Sequence, residues 1–409
     1  MVTVIGAGPT GLSLACALGG AGVPVCVVDR VPLAVIARAG GDTRTTAVAA
    51  AGRRMLDALG IWRHLAEAAE PIRDIEVSEG FSRRRIRYDR RVAGREPMGH
   101  VVPNALLRLS LLRRAQALPD VTLRVGTAWG GMSPADGAMR LELGNGTTLT
   151  TGLVVGADGK RSAVRRAAGI RAIEVPYRQT GIVCTLACER GHEGLAIERF
   201  FPNGPFAILP MPENRVAVIW SLDDRLARDV LALDRPAFLA ALDDRIGGRL
   251  GPLELVGEPQ VHRLSLTVAT ALTADRVALA GDAARAIHPI AGQGWNLGLR
   301  DVAALAEVVA DAVRAGRDPG SPDILAHYAR WRRFDSAALV GVTHGLARLF
   351  GNRSATLGLL RDFGLGAVDR IGPLKRMFMF HAMGELGDLP RLMRGMPLRP
   401  VAAPLAAAA

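Results

Sequence analysis

The hydrophobic pattern of the chain contains three widely separated apolar runs that are typical of buried parallel strands. They are Val2–Ile5, Leu153–Val155 and Val277–Ala280, and each is short and almost wholly apolar. A glycine-containing turn follows each run, and a helical pattern follows each turn. The pattern therefore predicts an α/β protein whose strand ends carry polar turns.

The turn after the first strand has the spacing of a dinucleotide-binding loop. It reads GAGPTG from Gly6, a helical pattern follows, and the next strand ends in Asp29. Gly6 permits the tight turn, Gly8 lets the backbone approach a pyrophosphate, and Gly11 lets the helix pack on the strand. Asp29 can accept hydrogen bonds from an adenosine ribose. These residues predict a dinucleotide cofactor but do not distinguish FAD from NAD(P).

Two later strand ends carry a glycine and an acid in the same way. Asp158 and Gly159 follow the second apolar run, and Gly281 and Asp282 follow the third. A single NAD-binding domain does not need these extra turns. A large cofactor that crosses several strand ends does.

The stretch after Asp282 leads into a helix that we expect to begin at about Trp295. Free backbone N–H groups and a partial positive charge at such an N-terminus favour an anionic ligand. In a flavin enzyme the anion is the N1–C2=O edge of the reduced ring, and Asp282 holds the ribityl hydroxyls. The residues expected to bind the cofactor here are Pro289, Gly292, Gln293, Gly294 and Asn296.

Two polar stretches have more than one interpretation. The first reads DTRTTA from Asp42 and precedes a helical pattern, so Asp42 or Thr43 is the expected N-cap. Arg44, between them and the helix, is also a candidate phosphate or flavin contact. The second, Ser82–Arg91, is a charge run that predicts a solvated hairpin, with a partner or lipid contact as the alternative.

The middle of the chain changes to short apolar runs separated by Pro, Gly and Asn. This pattern predicts a mainly antiparallel sheet, inserted into the nucleotide domain because the chain returns to that domain at Val277. Such a sheet can form one wall of a substrate cavity. The predicted parts are a nucleotide domain at 1–171 with a possible excursion near 72–98, the sheet at 172–262, the second part of the nucleotide domain at 263–320, a helical region at 321–400 and a disordered tail at 401–409.

The net charge of +12 raises the question of a nucleic-acid partner. We expect none, because the arginines are scattered through helices and aromatic residues make up only 4% of the chain. A basic surface that faces anionic lipid, or a solvated one, fits equally well. The four cysteines have no metal-ligand spacing and are expected to be buried thiols in a reducing cytosol, so no metal site is predicted. No apolar run approaches the ~20 residues that span a bilayer, and we expect no secretory signal because the chain opens on a predicted strand.

The chain resembles the class A flavoprotein monooxygenases, and within them the ubiquinone-biosynthesis hydroxylases that act on polyprenylated phenols. The resemblance rests on GAGPTG, GADGKRSAVRR and GDAARAIHPIAGQGWNLGLRDV, which look like that family's FAD motifs in order. It implies a fold like that of p-hydroxybenzoate hydroxylase, with FAD as cofactor and NAD(P)H as a transient reductant. It also implies that O2 and a lipophilic phenol are the substrates and that a flavin C4a-hydroperoxide transfers the oxygen.

The same resemblance implies roles for single residues. His288 and Pro289 are expected beside the flavin, with His288 either an acid–base group or a structural residue. Asn104 matches the family pattern and is expected to bind the cofactor. Arg285 stands where the family usually has His. Two further departures from the family pattern follow Asn104, at Ala105 and Arg108.

Alternative functions follow from the same fold. One is a soluble hydroxylase of small aromatic compounds, and another is a non-catalytic FAD-bound scaffold in a membrane quinone-biosynthesis complex. A prenyl reductase shares the fold, and a halogenase is disfavoured because no WxWxIP pattern occurs.

The stretch Pro373–Arg394 predicts contact with a membrane surface. It interleaves methionines and phenylalanines with Lys375, Arg376, Arg391 and Arg394. A helix that packs on the flavin domain is the alternative. We therefore expect a cytoplasmic enzyme that is peripheral to the inner membrane.

Overall fold

The structure is a computed structural model of the whole chain. It describes residues 1–38, 42, 44–82, 85–89, 96–288, 293–333 and 372–399.

Strands and helices alternate through most of the described residues. The strands are β1 Val2–Ile5, β2 Val25–Asp29, β3 Thr45–Ala49, β4 Glu70–Ile72, β5 Asp74–Glu79, β6 Arg85–Asp89, β7 Gly99–Pro103, β8 Val121–Val125, β9 Trp129–Ala135, β10 Ala138–Leu143, β11 Thr148–Thr151, β12 Leu153–Gly156, β13 Ala172–Cys188, β14 Leu195–Phe201, β15 Gly204–Met211, β16 Arg215–Asp223, β17 Leu253–Ala269, β18 Thr273–Ala274, β19 Val277–Leu279 and β20 Arg285–Ala286. The helices are α1 Pro9–Gly20, α2 Leu33–Ile36, α3 Ala50–Ala58, α4 Asn104–Gln116, α5 Ala163–Ala167, α6 Asp224–Leu231, α7 Arg235–Ile246, α8 Gln293–Arg314, α9 at 322–333 and α10 Gly372–Ala382.

The first sheet has the strand order β18-β19-β12-β1-β2-β8, and all neighbours except β18 and β19 are parallel. Val2 at the start of β1 lies opposite Leu153 on one side and Val25 on the other. The apolar faces of α1, α4 and α8 pack in one core, in which Leu12 and Leu299 are fully buried. The prediction of buried parallel strands is confirmed.

The second large sheet has eight strands in the order β20-β17-β13-β16-β15-β14-β5-β6. Its pairs are antiparallel except β14 with β5. Phe238 and Leu242 of α7 lie in the core cluster that contains Trp220 of β16. Met379 of α10, and Met383 just after the end of that helix, lie in another cluster with Ile86 of β6. The sheet predicted from the middle of the chain is present, and the charge run near Ser82 contributes β6 as a hairpin strand. The exact domain limits stay a prediction.

One local prediction is wrong. Thr45–Ala49 was expected to lie at the start of a helix with Asp42 or Thr43 as its N-cap, but it forms β3 and pairs with β7. The run has two threonines and a valine, whose branched side chains favour a strand. The helix α3 begins only at Ala50, with Ala49 as its N-cap and no side-chain hydrogen bond. Thr43 lies outside the described residues.

The C-terminal basic stretch also differs from its prediction. Arg391 forms an ion pair with Glu307 at 3.0 Å and another with Asp311 at 2.6 Å, and its side chain is only 26% exposed. Its guanidinium is therefore engaged within the protein and cannot face lipid without breaking both ion pairs. Arg394 lies within 3.0 Å of Asp388. No helix in the described part of the chain is long and apolar enough to cross a membrane.

The cysteine prediction is confirmed. All four cysteines are free and buried, and burial raises the pKa of Cys16 and of Cys184 to about 12. Thiols of this kind are unreactive as nucleophiles at neutral pH. Among the described residues, no group of His, Cys, Asp and Glu could hold a metal ion.

Candidate active site

Four strand ends lie side by side at one edge of the parallel sheet. The strands are β19, β12, β1 and β2, in that order across the sheet. Each of them leads to residues that the sequence predicts as part of a binding site. These are Gly281 with Asp282, Asp158 with Gly159, the loop from Gly6, and Asp29. Neighbouring strands are separated by about 4.8 Å, so the row is about 14 Å long. An extended ligand can therefore contact all four turns.

The glycines of the first loop divide into two kinds. A β-carbon at Gly6, where φ is +113°, would lie 2.4 Å from the oxygen of Ala157, and one at Gly11 would lie 1.9 Å from the oxygen of Gly6. These two glycines are required by the packing of the protein itself. A β-carbon at Gly8 would meet nothing within 4 Å. The space beside Gly8 is therefore free of described protein atoms. A ligand that approaches the backbone at Gly8 needs such a space.

Gly159 and Gly294 resemble Gly8 in this respect. A β-carbon at either would meet no atom within 4 Å in the part of the chain that the structure describes. Gly294 is the second residue of α8, which begins at Gln293 and so has its N-terminus near the predicted position. Pro289 and Gly292 lie outside the described residues, and their cofactor roles stay predictions.

Asp29 and Asp158 accept hydrogen bonds from backbone N–H groups of the turns around them. Asp29 accepts hydrogen bonds from the N–H groups of Ala7 at 2.6 Å and of Val31 at 2.8 Å. Asp158 Oδ2 accepts from Ala163 N at 2.6 Å, at the start of α5. The other carboxylate oxygen of Asp158 is buried and has no partner among the described residues. Each acid thus keeps acceptor capacity for a ligand after it has ordered its turn.

Asp282 is exposed, although the residues on either side of it are buried. The surrounding protein removes solvent from this recess and raises the pKa of the carboxyl, and the charge of Lys160 acts in the opposite direction. The ammonium group of Lys160 donates to Ser265 of β17. A carboxylate in such a recess can accept short hydrogen bonds from ligand hydroxyls.

Sequence reasoning missed Asp301, which lies beneath this turn in α8. Its carboxylate is fully buried and accepts hydrogen bonds from the backbone N–H of Gly281 at 3.1 Å, from Arg285 at 2.5 Å and from Arg332 at 2.9 Å. Tyr328 of α9 donates to the backbone oxygen of Leu279 at 2.8 Å. Helices α8 and α9 together therefore fix the end of β19, and Arg285 is part of that anchor. The GLRD sequence around Asp301 was the available signal.

Three other predicted site residues have protein partners. Asn296 is buried and bridges to β3, accepting from Ala49 N at 2.9 Å and donating to the oxygen of Ala47 at 2.8 Å. The side-chain oxygen of Asn104 accepts from Thr46. Arg44 donates to Asp42 through two nitrogens, at 2.8 and 3.0 Å. The geometry shows positioning contacts for these residues, and their direct cofactor contacts stay predictions.

His288 lies where the loop from β20 reaches the large sheet. Its Nε2 is 3.1 Å from Oε1 of Gln179, and its ring meets that of Tyr177 edge-on with centroids 5.1 Å apart. The side chain is buried, and burial lowers the pKa of the imidazole to about 4. The ring is therefore neutral at physiological pH.

Comparison with known proteins places this geometry in a family. The FAD binding domain family matches residues 1–342. Ubiquinone hydroxylase UbiL of Rhodospirillum rubrum is 45% identical over 400 residues, which cover 97% of this chain and 93% of that protein. The chain belongs to this family of FAD-dependent monooxygenases.

Other members of the family and a solved structure agree. The 3-demethoxyubiquinol 3-hydroxylase of Escherichia coli is 31% identical over 388 residues, covering 94% of this chain and 98% of that protein. The p-nitrophenol 4-monooxygenase PnpA of Pseudomonas putida superposes with a TM-score of 0.76 at 20% identity, over 95% of this chain and 98% of that one. This last likeness concerns the fold alone. The α/β fold with an inserted β-sheet is therefore confirmed.

FAD is the cofactor of this family, and the described residues fit it. An added β-carbon at Gly8, Gly159 or Gly294 would meet no atom of the described residues within 4 Å. A buried carboxylate oxygen of Asp158, after β12, has no hydrogen-bond partner among the described residues. Asp282, after β19, is exposed and offers further acceptor oxygens. When bound, FAD supplies the activation of O2 and the transfer of one oxygen atom.

Proposed function

We propose that this enzyme hydroxylates the aromatic ring of a lipophilic phenol that is a precursor of ubiquinone. It takes electrons from NAD(P)H and oxygen from O2. The names of its relatives, ubiquinone hydroxylase and 3-demethoxyubiquinol 3-hydroxylase, support the substrate class. The observation that carries the proposal is the row of four strand-end turns bordered by open glycines, because that row suits a long cofactor and no smaller one needs it.

The residues of the row have distinct roles in this proposal. Gly8 lets the pyrophosphate approach the N-terminus of α1, Asp29 faces the adenosine ribose, and Asp282 binds the ribityl chain. The N-terminus of α8 at Gly294 stabilises negative charge on the flavin. The large sheet covers the substrate side, so that the reacting groups are kept from water.

Replacing Asp282 tests the cofactor part of the proposal. The variant Asp282→Ala should purify with little FAD, since hydrogen bonds to a carboxylate contribute roughly 1.5–3 kcal/mol each. Flavin absorbance per protein is the measurement, and far-UV circular dichroism checks the fold. A matched control is Asp136→Ala, which removes an exposed acid in the turn between β9 and β10. Full flavin occupancy in the Asp282 variant would contradict the assignment.

The lipophilic substrate leads to a second part of the proposal, which is contact with a membrane surface. A prenyl chain gains about 0.8 kcal/mol for each CH2 group that leaves water, so the enzyme must reach the phenol at the lipid surface. Helix α10 supports this arrangement. It buries Met379 against the large sheet and leaves Met377 42% exposed beside Arg376, which is also exposed. Basic and apolar side chains that are both exposed on the same helix suit an anionic headgroup layer.

Flotation with anionic liposomes at low salt tests this contact. The triple variant Lys375→Gln, Arg376→Gln and Met377→Ser should bind less, and wild-type binding should weaken as salt rises. The control is Arg391→Gln, because Arg391 is held by Glu307 and Asp311 and should affect stability rather than lipid binding. If wild-type protein that hydroxylates a short-chain phenol does not float with the liposomes, the membrane contact is wrong.

A further inference from the structure

Strand β13 contains a bulge at the residues that contact His288. Its pairing with β17 shifts in register between Pro176 and Gln179, so the bulge consists of Tyr177 and Arg178. Arg178 has φ of +54°, a left-handed conformation that costs free energy for a residue with a side chain. Bulges of this kind redirect side chains and are frequent beside active sites.

The bulge lies next to the predicted flavin site. Pro176, at its start, pairs with Ser265 of β17. Ser265 accepts a hydrogen bond from Lys160, whose charge acts on the carboxyl of Asp282. Ser265 therefore connects the bulge to Lys160, and the charge of Lys160 acts on Asp282 at the end of β19. Tyr177, inside the bulge, meets the ring of His288 edge-on, with the centroids 5.1 Å apart.

The contact between Gln179 and His288 fixes which imidazole nitrogen carries the proton. Oε1 of Gln179 can only accept, so the Nε2 atom of His288 must be the N–H donor. Nδ1 of the neutral ring is then an acceptor with a free lone pair. It is buried and has no partner among the described residues. Such an atom loses its hydrogen bond to water on folding and gains none from the protein.

We propose that Nδ1 of His288 accepts the hydrogen bond of the phenolic O–H of the substrate, and that Gln179 is the positioning residue that holds the imidazole for it. This inference rests on the proposed function and specifies the substrate contact of that site. The acceptor orients the ring carbon that is hydroxylated with respect to the flavin. Because the ring stays neutral at physiological pH, the lone pair is available at the pH where the enzyme works.

A comparison of two ligands tests the inference without turnover. The ligands are 2-allylphenol and its methyl ether, which has no O–H to donate. Their binding to the FAD-loaded enzyme is followed by the change in flavin absorbance, without NAD(P)H. Wild type should bind the phenol about five-fold more tightly than the ether, as one hydrogen bond allows. Because both ligands are compared on the same protein, a general loss of stability or of FAD cancels from the ratio.

Matched variants then identify the acceptor. His288→Phe keeps a ring and removes the acceptor, so the preference for the phenol should disappear. His288→Asn places an amide oxygen near the position of Nδ1 and should retain part of it, and Gln179→Leu should reduce it because the imidazole is no longer oriented. If His288→Phe still prefers the phenol over the ether as strongly as wild type does, the inference is wrong and the proposed function still stands. If His288→Phe does not fold, the same result in Gln179→Leu has the same meaning. A wild-type enzyme that neither binds nor hydroxylates the phenol overturns the proposed function as well.

Discussion

Replacing Asp301 by Asn should destabilise the protein strongly. The substitution keeps the shape of the side chain but removes the negative charge that faces Arg285 and Arg332, whose side chains are 3% and 1% exposed. It leaves two buried guanidinium groups without their common carboxylate. Removing one partner of a buried ion pair costs about 3–5 kcal/mol. We therefore expect a loss of that size in the free energy of unfolding of the apoprotein.

Urea unfolding of the apoprotein, followed by circular dichroism, measures this loss. The control is Asp318→Asn, which breaks the ion pair with Arg276 at a site where the side chain of Asp318 is 42% exposed. A pair as exposed as this one contributes about 1 kcal/mol or less. If the Asp301 variant loses no more stability than the Asp318 variant, the reasoning about the buried cluster is refuted.

The same variant should also bind FAD more weakly, for a separate reason. Asp301 holds the backbone N–H of Gly281, and Gly281 precedes Asp282 at the end of β19. When this hydrogen bond weakens, the carboxylate of Asp282 is less well positioned. Titration of refolded apoprotein with FAD at low urea measures the affinity. An unchanged affinity would show that the cluster supports the fold but not the cofactor turn.

Two further predictions concern the glycines and the buried histidines. Gly8→Val should abolish FAD binding with little loss of apoprotein stability. Gly11→Val should lower the melting temperature of the apoprotein, because a β-carbon at Gly11, unlike one at Gly8, would overlap a backbone oxygen. If Gly8→Val lowers the melting temperature more than Gly11→Val does, the loop is wrongly placed. Burial lowers the pKa of His288 and of His100 from 6.5 to about 4. The unfolded chain therefore binds more protons than the folded one between these values, and stability should fall as pH is lowered from 6.5 to 4. The urea midpoint should change less between pH 7 and pH 5 in His288→Phe than in wild type. If the change is the same in both proteins, the conclusion that His288 is neutral in the folded protein is wrong.

The strand-end turns could be predicted from the sequence because local spacing imposes them. The positions of Gly6, Gly8 and Gly11 follow from the geometry of one turn and the helix after it. The acids Asp158 and Asp282 each come within three residues of the end of a buried strand. Short-range constraints of this kind are visible in a single sequence, and the structure brings all these residues to one edge of the sheet.

The Asp301 cluster could not be predicted in the same way. In the sequence, Asp301 looks like a polar residue on a helix, and its partners Gly281, Arg285 and Arg332 come from other elements. Only the packing of α8 and α9 under β19 shows that it is buried. The strand β3 was missed because its neighbour β7 lies about fifty residues away in the chain, and pairing with β7 decides the conformation of Thr45–Ala49.

Oxygen isotope incorporation tests the central claim most directly. Purified FAD-loaded enzyme is supplied with NAD(P)H, a short-chain 2-alkylphenol in detergent micelles, and 18O2. The account predicts that NAD(P)H is consumed only when the phenol is present, or much faster with it, and that the product carries one 18O atom on its aromatic ring by mass spectrometry. The Asp282→Ala enzyme without FAD should give neither result. A flavin-loaded wild-type enzyme that consumes NAD(P)H and forms no labelled ring product would contradict the account.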